Sequence, residues 1–301
     1  MLITKKSSVR IYDDMSGGFH LHASGLTHAD TDRLLHSTDP WEVLAGVLLS
    51  CQRGDFAPVT QLPGLMRQDD GFMYWKAAAE LLGYAGSWSV IQRLFEQFAD
   101  QLDDRGTQYF LAVSPAVSCG LWAVEPLLAL YRRAADEEVR YQIQRHLSYL
   151  LEEENGPLWF GPEEEKVAVD ADGADIDVRV VIDAEGYVRD VRAARDAVVA
   201  RVGSANVPIY EGKVVDVVAT ARMLYERLTS GDETKGRMYR EQMLFAAATG
   251  VDCRGFFDRD HLVQYLPATA IMERFLESDA IARFSPGERY FFGHRIPCSP
   301  A

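Results

Sequence analysis

Cysteine is scarce in this chain. Four residues, Cys51, Cys119, Cys253 and Cys298, are scattered over 301 positions. None forms a CxxC pair, so neither a zinc knuckle nor a redox dithiol is signalled. We read them as free thiols of a reducing compartment. Positive charge is also short, with 31 Lys and Arg against 45 Asp and Glu and a net charge of −14. A nucleic-acid binder needs basic surface for phosphates, so no nucleic-acid partner is expected. Nowhere do about 18 apolar residues run together, which argues against a membrane-spanning helix. The start, Met1 to Ser8, has two lysines without an apolar stretch behind them, unlike a signal peptide. A cytoplasmic protein without a membrane partner is the expectation.

Catalytic signatures are missing too. There is no GxSxG, no phosphate-binding GxxxxGK and no GxGxxG opening a helix after a strand. Cys51, Cys119 or Cys253 could serve as nucleophile with His146, His261 or His294, yet no spacing places such a pair together. His20 and His22 lie two apart, a spacing a strand could turn toward metal, with His28 and His36 nearby. No HExxH-type pattern accompanies them, and they read as surface or core-edge histidines. Asp170 to Asp177 invites a calcium reading but fails the EF-hand pattern, because its glycine comes early and position 12 is Val181. No catalytic residue, metal or cofactor is expected.

What is present is repetition. Trp41, Trp75, Tyr109 and Tyr141 each sit near the start of a helix-like run, 34, 34 and 32 residues apart. Between them run Phe56-Ala57-Pro58-Val59, Trp88-Ser89-Val90 and Trp122-Ala123-Val124. In that second series Val59, Val90 and Val124 are 31 and 34 apart. Two interleaved series of this period indicate stacked helical hairpins, each unable to bury its own apolar face. Asp39-Pro40 opens the first hairpin as N-cap and first helical residue. The six aromatics Trp41, Trp75, Tyr109, Trp88, Trp122 and Tyr141 are read as packing anchors rather than a ligand box.

Composition changes at Glu152. Residues 152–190 hold thirteen acidic and three basic residues, −10 of the chain's −14. Val178 to Ile182 alternates like a strand, with Ala184-Glu185-Gly186 as a turn and Tyr187-Val188 as a returning partner. Glu163, Glu164, Glu165, Asp170, Asp172, Asp175 and Asp177 are the candidate partner-binding residues, an acidic surface suited to a basic protein. Beyond residue 211, apolar residues at helical spacing resume, and the tail from Pro286 to Pro297 reads as extended chain packed against the body. The expected organisation is an N-terminal segment (1–38), HEAT-like repeats (39–154), an acidic linker or small α+β element (155–210), and a C-terminal helical region with an aromatic tail (211–301). The fold class is mostly α: a HEAT-like α-solenoid with a small acidic insertion.

Two stretches add a resemblance. Thr249-Gly250-Val251-Asp252-Cys253, followed by Phe256-Phe257, joins the closing Gly287-Glu288-Arg289-Tyr290-Phe291-Phe292-Gly293-His294-Arg295-Ile296-Pro297. With the Trp-anchored hairpins, this combination is similar to immunity proteins of bacterial polymorphic toxin systems, and it most resembles the immunity protein 47 family. The resemblance implies stoichiometric binding and neutralisation of a cognate protein toxin, with no catalytic residues. A general α-solenoid interaction scaffold is the second reading, and a metal-dependent hydrolase ranks below it.

Overall fold

The computed structural model describes residues 9–11, 21–23, 26–67, 72–152, 158, 163–169, 175–181, 184–230, 235–258 and 262–297. Among these the chain is mostly helical, with twelve α-helices and four two-stranded antiparallel ribbons. The repeat region supplies α1 (Thr31–Leu35), α2 (Pro40–Cys51), α3 (Leu62–Met66), α4 (Phe72–Ala85), α5 (Trp88–Gln97), α6 (Arg105–Val117), α7 (Val124–Arg133) and α8 (Glu137–Leu151). The helices α2, α4, α6 and α8 start 32 or 33 residues apart. Three of the four are capped by the same chemistry. Asp39, Asp104 and Asp136 accept hydrogen bonds from the N–H groups of Trp41 (2.9 Å), Thr107 (2.8 Å) and Val139 (3.2 Å). Each carboxylate satisfies an orphan donor and complements the positive end of the helix dipole.

Packing divides the chain into two compact units, one of Met1–Asp100 with Val215–Ala301 and one of Gln101–Val214. These limits differ from boundaries drawn on composition, because contact closes over sequence-distant segments.

In the first unit α2 packs on α4, and α3 packs on both α4 and α5. Trp41 meets Tyr74 edge-on at 5.2 Å between α2 and α4, and Trp75 meets Phe98 at 5.6 Å between α4 and α5. The second half of this unit is α10 (Val217–Ser230), α11 (Lys235–Thr249) and α12 (Tyr265–Leu276). Helix α11 is buried on most sides, at Met238, Glu241, Gln242, Met243, Phe245, Ala246 and Ala247. Each of its larger apolar side chains contributes roughly 1.5–3 kcal/mol by leaving water. Glu241, fully buried, accepts a 2.6 Å bond from Arg227 on α10.

The tail is what fastens this unit. Tyr290–Phe291 (β7) pairs with His294–Arg295 (β8). Between them Phe292 and Gly293 both take positive φ, 49° and 78°, the geometry of a two-residue hairpin turn that follows strand twist. The left-handed conformation costs Phe292 about 1–2 kcal/mol. Its N–H donates to the Ala247 carbonyl at 2.8 Å and that of Gly293 to Ala248 at 2.7 Å, so the turn caps the end of α11. Gly250, at φ +72°, leaves room for the Phe292 ring, which a Cβ there would meet at 2.8 Å. Arg289 donates to the carbonyls of Gly83 (2.6 Å), Gly86 (2.7 Å) and Tyr84 (3.3 Å) at the end of α4.

In the second unit α6 packs on α8, α7 on α8, and α9 (Ala184–Val202) on both α7 and α8. Helices α7 and α9 carry a matched ladder. Arg132 pairs with Glu185 (2.7 and 2.9 Å), and Glu125 pairs with Arg192 (2.7 and 3.0 Å) and Arg195 (2.9 Å). On each helix the acid comes first and an arginine follows seven residues later, so matching unlike charges fixes an antiparallel register. The Tyr131 and Tyr187 rings meet across the same helix pair, centroids 5.0 Å apart and planes tilted by 43°. Ile209–Tyr210 (β5) and Lys213–Val214 (β6) turn at Glu211 and Gly212, both at positive φ.

The acidic segment corrects one expectation. Asp175–Val181 (β4) pairs with Glu163–Val169 (β3), not with Tyr187-Val188. Ala184-Glu185-Gly186 opens α9 instead of turning a hairpin. Tyr187, Val188, Val191 and Val198 lie on the buried face of that helix, and burial at helical spacing outweighs their strand propensity.

Replacing Arg289 with Ala is expected to lower the unfolding free energy by about 2 kcal/mol, the scale of charge-assisted bonds lost at a half-buried site. Urea unfolding with unchanged slope checks it. The Arg192 and Arg195 guanidiniums hold the Glu125 carboxyl below its usual range, the Arg192 bond being the larger cause. A depressed carboxyl contributes stability above its unfolded value and loses it as pH falls through the folded one. The gap in urea midpoint between wild type and Glu125→Gln should therefore be full at neutral pH and close below about pH 4. Added salt should also shrink it, since the ladder is exposed.

Candidate functional site

The acidic candidates separate into three groups. Glu163, Glu164 and Glu165 open β3, and Asp175 and Asp177 open β4. Register places Glu165 opposite Arg179, Asp177 opposite Val167 and Asp175 opposite Val169. Asp170 and Asp172 lie outside the described residues, as does most of the calcium-like stretch. The ribbon therefore brings five of the seven carboxylate positions onto one pair of seven-residue strands.

The aromatic anchors are half-buried at Trp41, Trp75, Trp88, Tyr109 and Trp122. The larger burial falls on neighbours the spacing did not single out, Tyr74 at 0% exposure and Phe110 at 3%. Tyr141 does not anchor the core. It is 44% exposed on α8, with the Arg145 guanidinium 5.6 Å from its ring.

Among the described residues no group of three or more His, Cys, Asp or Glu could hold a metal ion. His20 lies outside the described residues, and the backbone of His22 sits opposite Arg10 in the first ribbon. His28 and His36 are exposed, and Nδ1 of His36 lies 2.7 Å from the Asp32 carbonyl. Cys51, Cys119 and Cys253 are free and buried. Burial pushes the Cys253 thiol up to about 12 and the Cys51 thiol higher still. Neither supplies a thiolate near neutral pH.

Another candidate is one that sequence reading missed. A cavity of about 300 Å³ opens in the first unit between the end of α11, the last turns of α12 and the Phe292-Gly293 turn. Its walls are Ile271, Phe275, Phe284 and Phe292, and Arg274 and Arg283 stand at it. Ile271, Arg274, Phe275 and Ser278 follow i, i+3, i+4, i+7, so one stripe of α12 and its exit presents them together. Phe284 lies 5.8 Å from Phe275, and Phe275 meets Phe245 edge-on at 4.9 Å. Asp252 also lines the cavity, and both of its oxygens accept from Arg254. The stripe was visible in sequence, but the Phe292 turn that closes the wall comes from the tail.

Compared with known proteins, the chain matches no family model, no curated protein and no solved structure. Among the described residues no helix is long and apolar enough to cross a membrane.

Iodoacetamide at pH 8 is expected to leave Cys51 and Cys253 unmodified in the native protein and to label both in urea. Peptide mass spectrometry of the two samples distinguishes this from a reactive thiol.

Proposed function

We propose that this chain acts by stoichiometric binding, as an immunity protein that neutralises a cognate, basic protein toxin. The observation that carries the reading is the concentration of charge: −10 of the net −14 falls within residues 152–190. Five of those carboxylate positions fall on the β3–β4 ribbon. An acidic surface of this density attracts a basic partner over a Debye length and raises its association rate. A toxin that acts on nucleic acid would offer the complementary charge.

The architecture that would present this surface is a HEAT-like solenoid. Support comes from the 32–33-residue recurrence of helix starts and from like helices packing in succession, α2 on α4, α3 on α5 and α6 on α8. The same stacking is what a general interaction scaffold would use, and the two readings separate by partner number.

The tagged protein, used as bait in lysate of its native host, should retain one protein at one-to-one stoichiometry. That protein should arrest growth when expressed alone and be tolerated when co-expressed with this chain. A bait carrying Glu163→Gln, Glu164→Gln, Glu165→Gln, Asp175→Asn and Asp177→Asn should bind it more weakly, with less dependence on salt. Several unrelated partners would favour the scaffold. A single toxin bound equally by both baits would remove the electrostatic part of the reading.

A further inference from the structure

We infer that the cavity between α11, α12 and the Phe292 turn binds a small organic anion, a carboxylate or phosphate carried on an aromatic or branched aliphatic body. The chain holds 45 Asp and Glu and is strongly acidic, yet two arginines that line one cavity have no carboxylate partner among the described residues. Arg274 has Glu273 beside it and Glu277 one turn on, and Arg283 follows Asp279 by four. Among the described residues, no hydrogen bond or ion pair engages either guanidinium. Both instead stand at the same cavity. By contrast, Arg254, Arg132, Arg192 and Arg195 each hold a carboxylate at 3.0 Å or less.

The one acid in the lining does not neutralise them. Asp252 is already held through both oxygens by Arg254. The two hydroxyls of the lining have also spent their protons. Thr249 donates to the Phe245 carbonyl and Ser278 to the Phe275 carbonyl, both at 2.7 Å. The guanidiniums are therefore the side-chain donors left for an anion, and their planar forks suit a carboxylate or phosphate. The phenyl rings of Phe275, Phe284 and Phe292 supply an apolar wall for the body of the ligand. At about 300 Å³ the volume stands at the lower end of small-molecule pockets, and an apolar lining with a few convergent polar groups is their usual make-up.

This inference is independent of the toxin reading, because it concerns residues outside the acidic segment and uses small-molecule probes. Purified protein would be titrated with phenylacetate, phenyl phosphate and the neutral isostere 2-phenylethanol, followed by calorimetry and ligand-observed NMR. Phenylacetate or phenyl phosphate should bind saturably and more tightly than 2-phenylethanol. The Arg274→Gln, Arg283→Gln double variant should lose about tenfold in affinity for the anions and little for the alcohol. Both arginines are exposed, so this variant should unfold at the wild-type urea concentration. Ala280→Leu, which narrows the cavity without touching charge, should weaken all three probes. Absence of saturable binding by either anion, or anion affinity unchanged in the double variant, would overturn the proposal.

Discussion

The first unit depends on how its helix ends are satisfied. An α-helix leaves its last carbonyls without intrahelical donors, and burying such an end requires donors from elsewhere. For α4 they come from Arg289, 203 and 206 positions away from Gly86 and Gly83. For α11 they come from the backbone of Phe292 and Gly293. A single tail hairpin thus closes two helices at once. It also joins the two sequence segments of which this unit is made. Gly54 belongs to the same arrangement: a Cβ there would come within 2.8 Å of the His294 ring.

Inside that frame α11 sits among the other helices with polar side chains still upon it. Glu241 reaches Arg227, and a buried pair of this kind roughly breaks even against an apolar substitute. Its value is more in fixing the rotation of α11 against α10 than in net stability. The same principle works at the surface of the second unit. There the ladder of Glu125, Arg132, Glu185 and Arg192 adds little energy per pair but admits one antiparallel register of α7 and α9. The cavity follows from the tail hairpin, since its turn forms one wall and the stripe of α12 forms the other.

Much of the local structure was legible. Asp39 was read as an N-cap and caps α2, Asp104 and Asp136 prove to cap α6 and α8 in the same way, and the period near 33 recurs in the helix starts. Val59, Leu62 and Met66, three and four residues apart, are buried together, as are Phe256 and Phe257. The anchors were harder. Spacing of about 33 residues marks the hairpin, but a shift of one residue turns a side chain by about 100° around the helix axis. Hence Tyr74 and Phe110 fill the core beside Trp75 and Tyr109, while Tyr141 faces outward. The β4 partner was missed because Tyr187 and Val188 suit a strand as well as a buried helix face.

Sequence by itself determined the helical class, the repeat period, the cap chemistry and the location of the excess negative charge, since each depends on residues close in the chain. Only the tertiary structure decided that residues 1–100 and 215–301 form one compact unit. It alone placed the Phe292 turn beside the Arg274 stripe to make a cavity. Both outcomes depend on which distant groups satisfy a helix end or complete an apolar wall, and no local pattern encodes that choice.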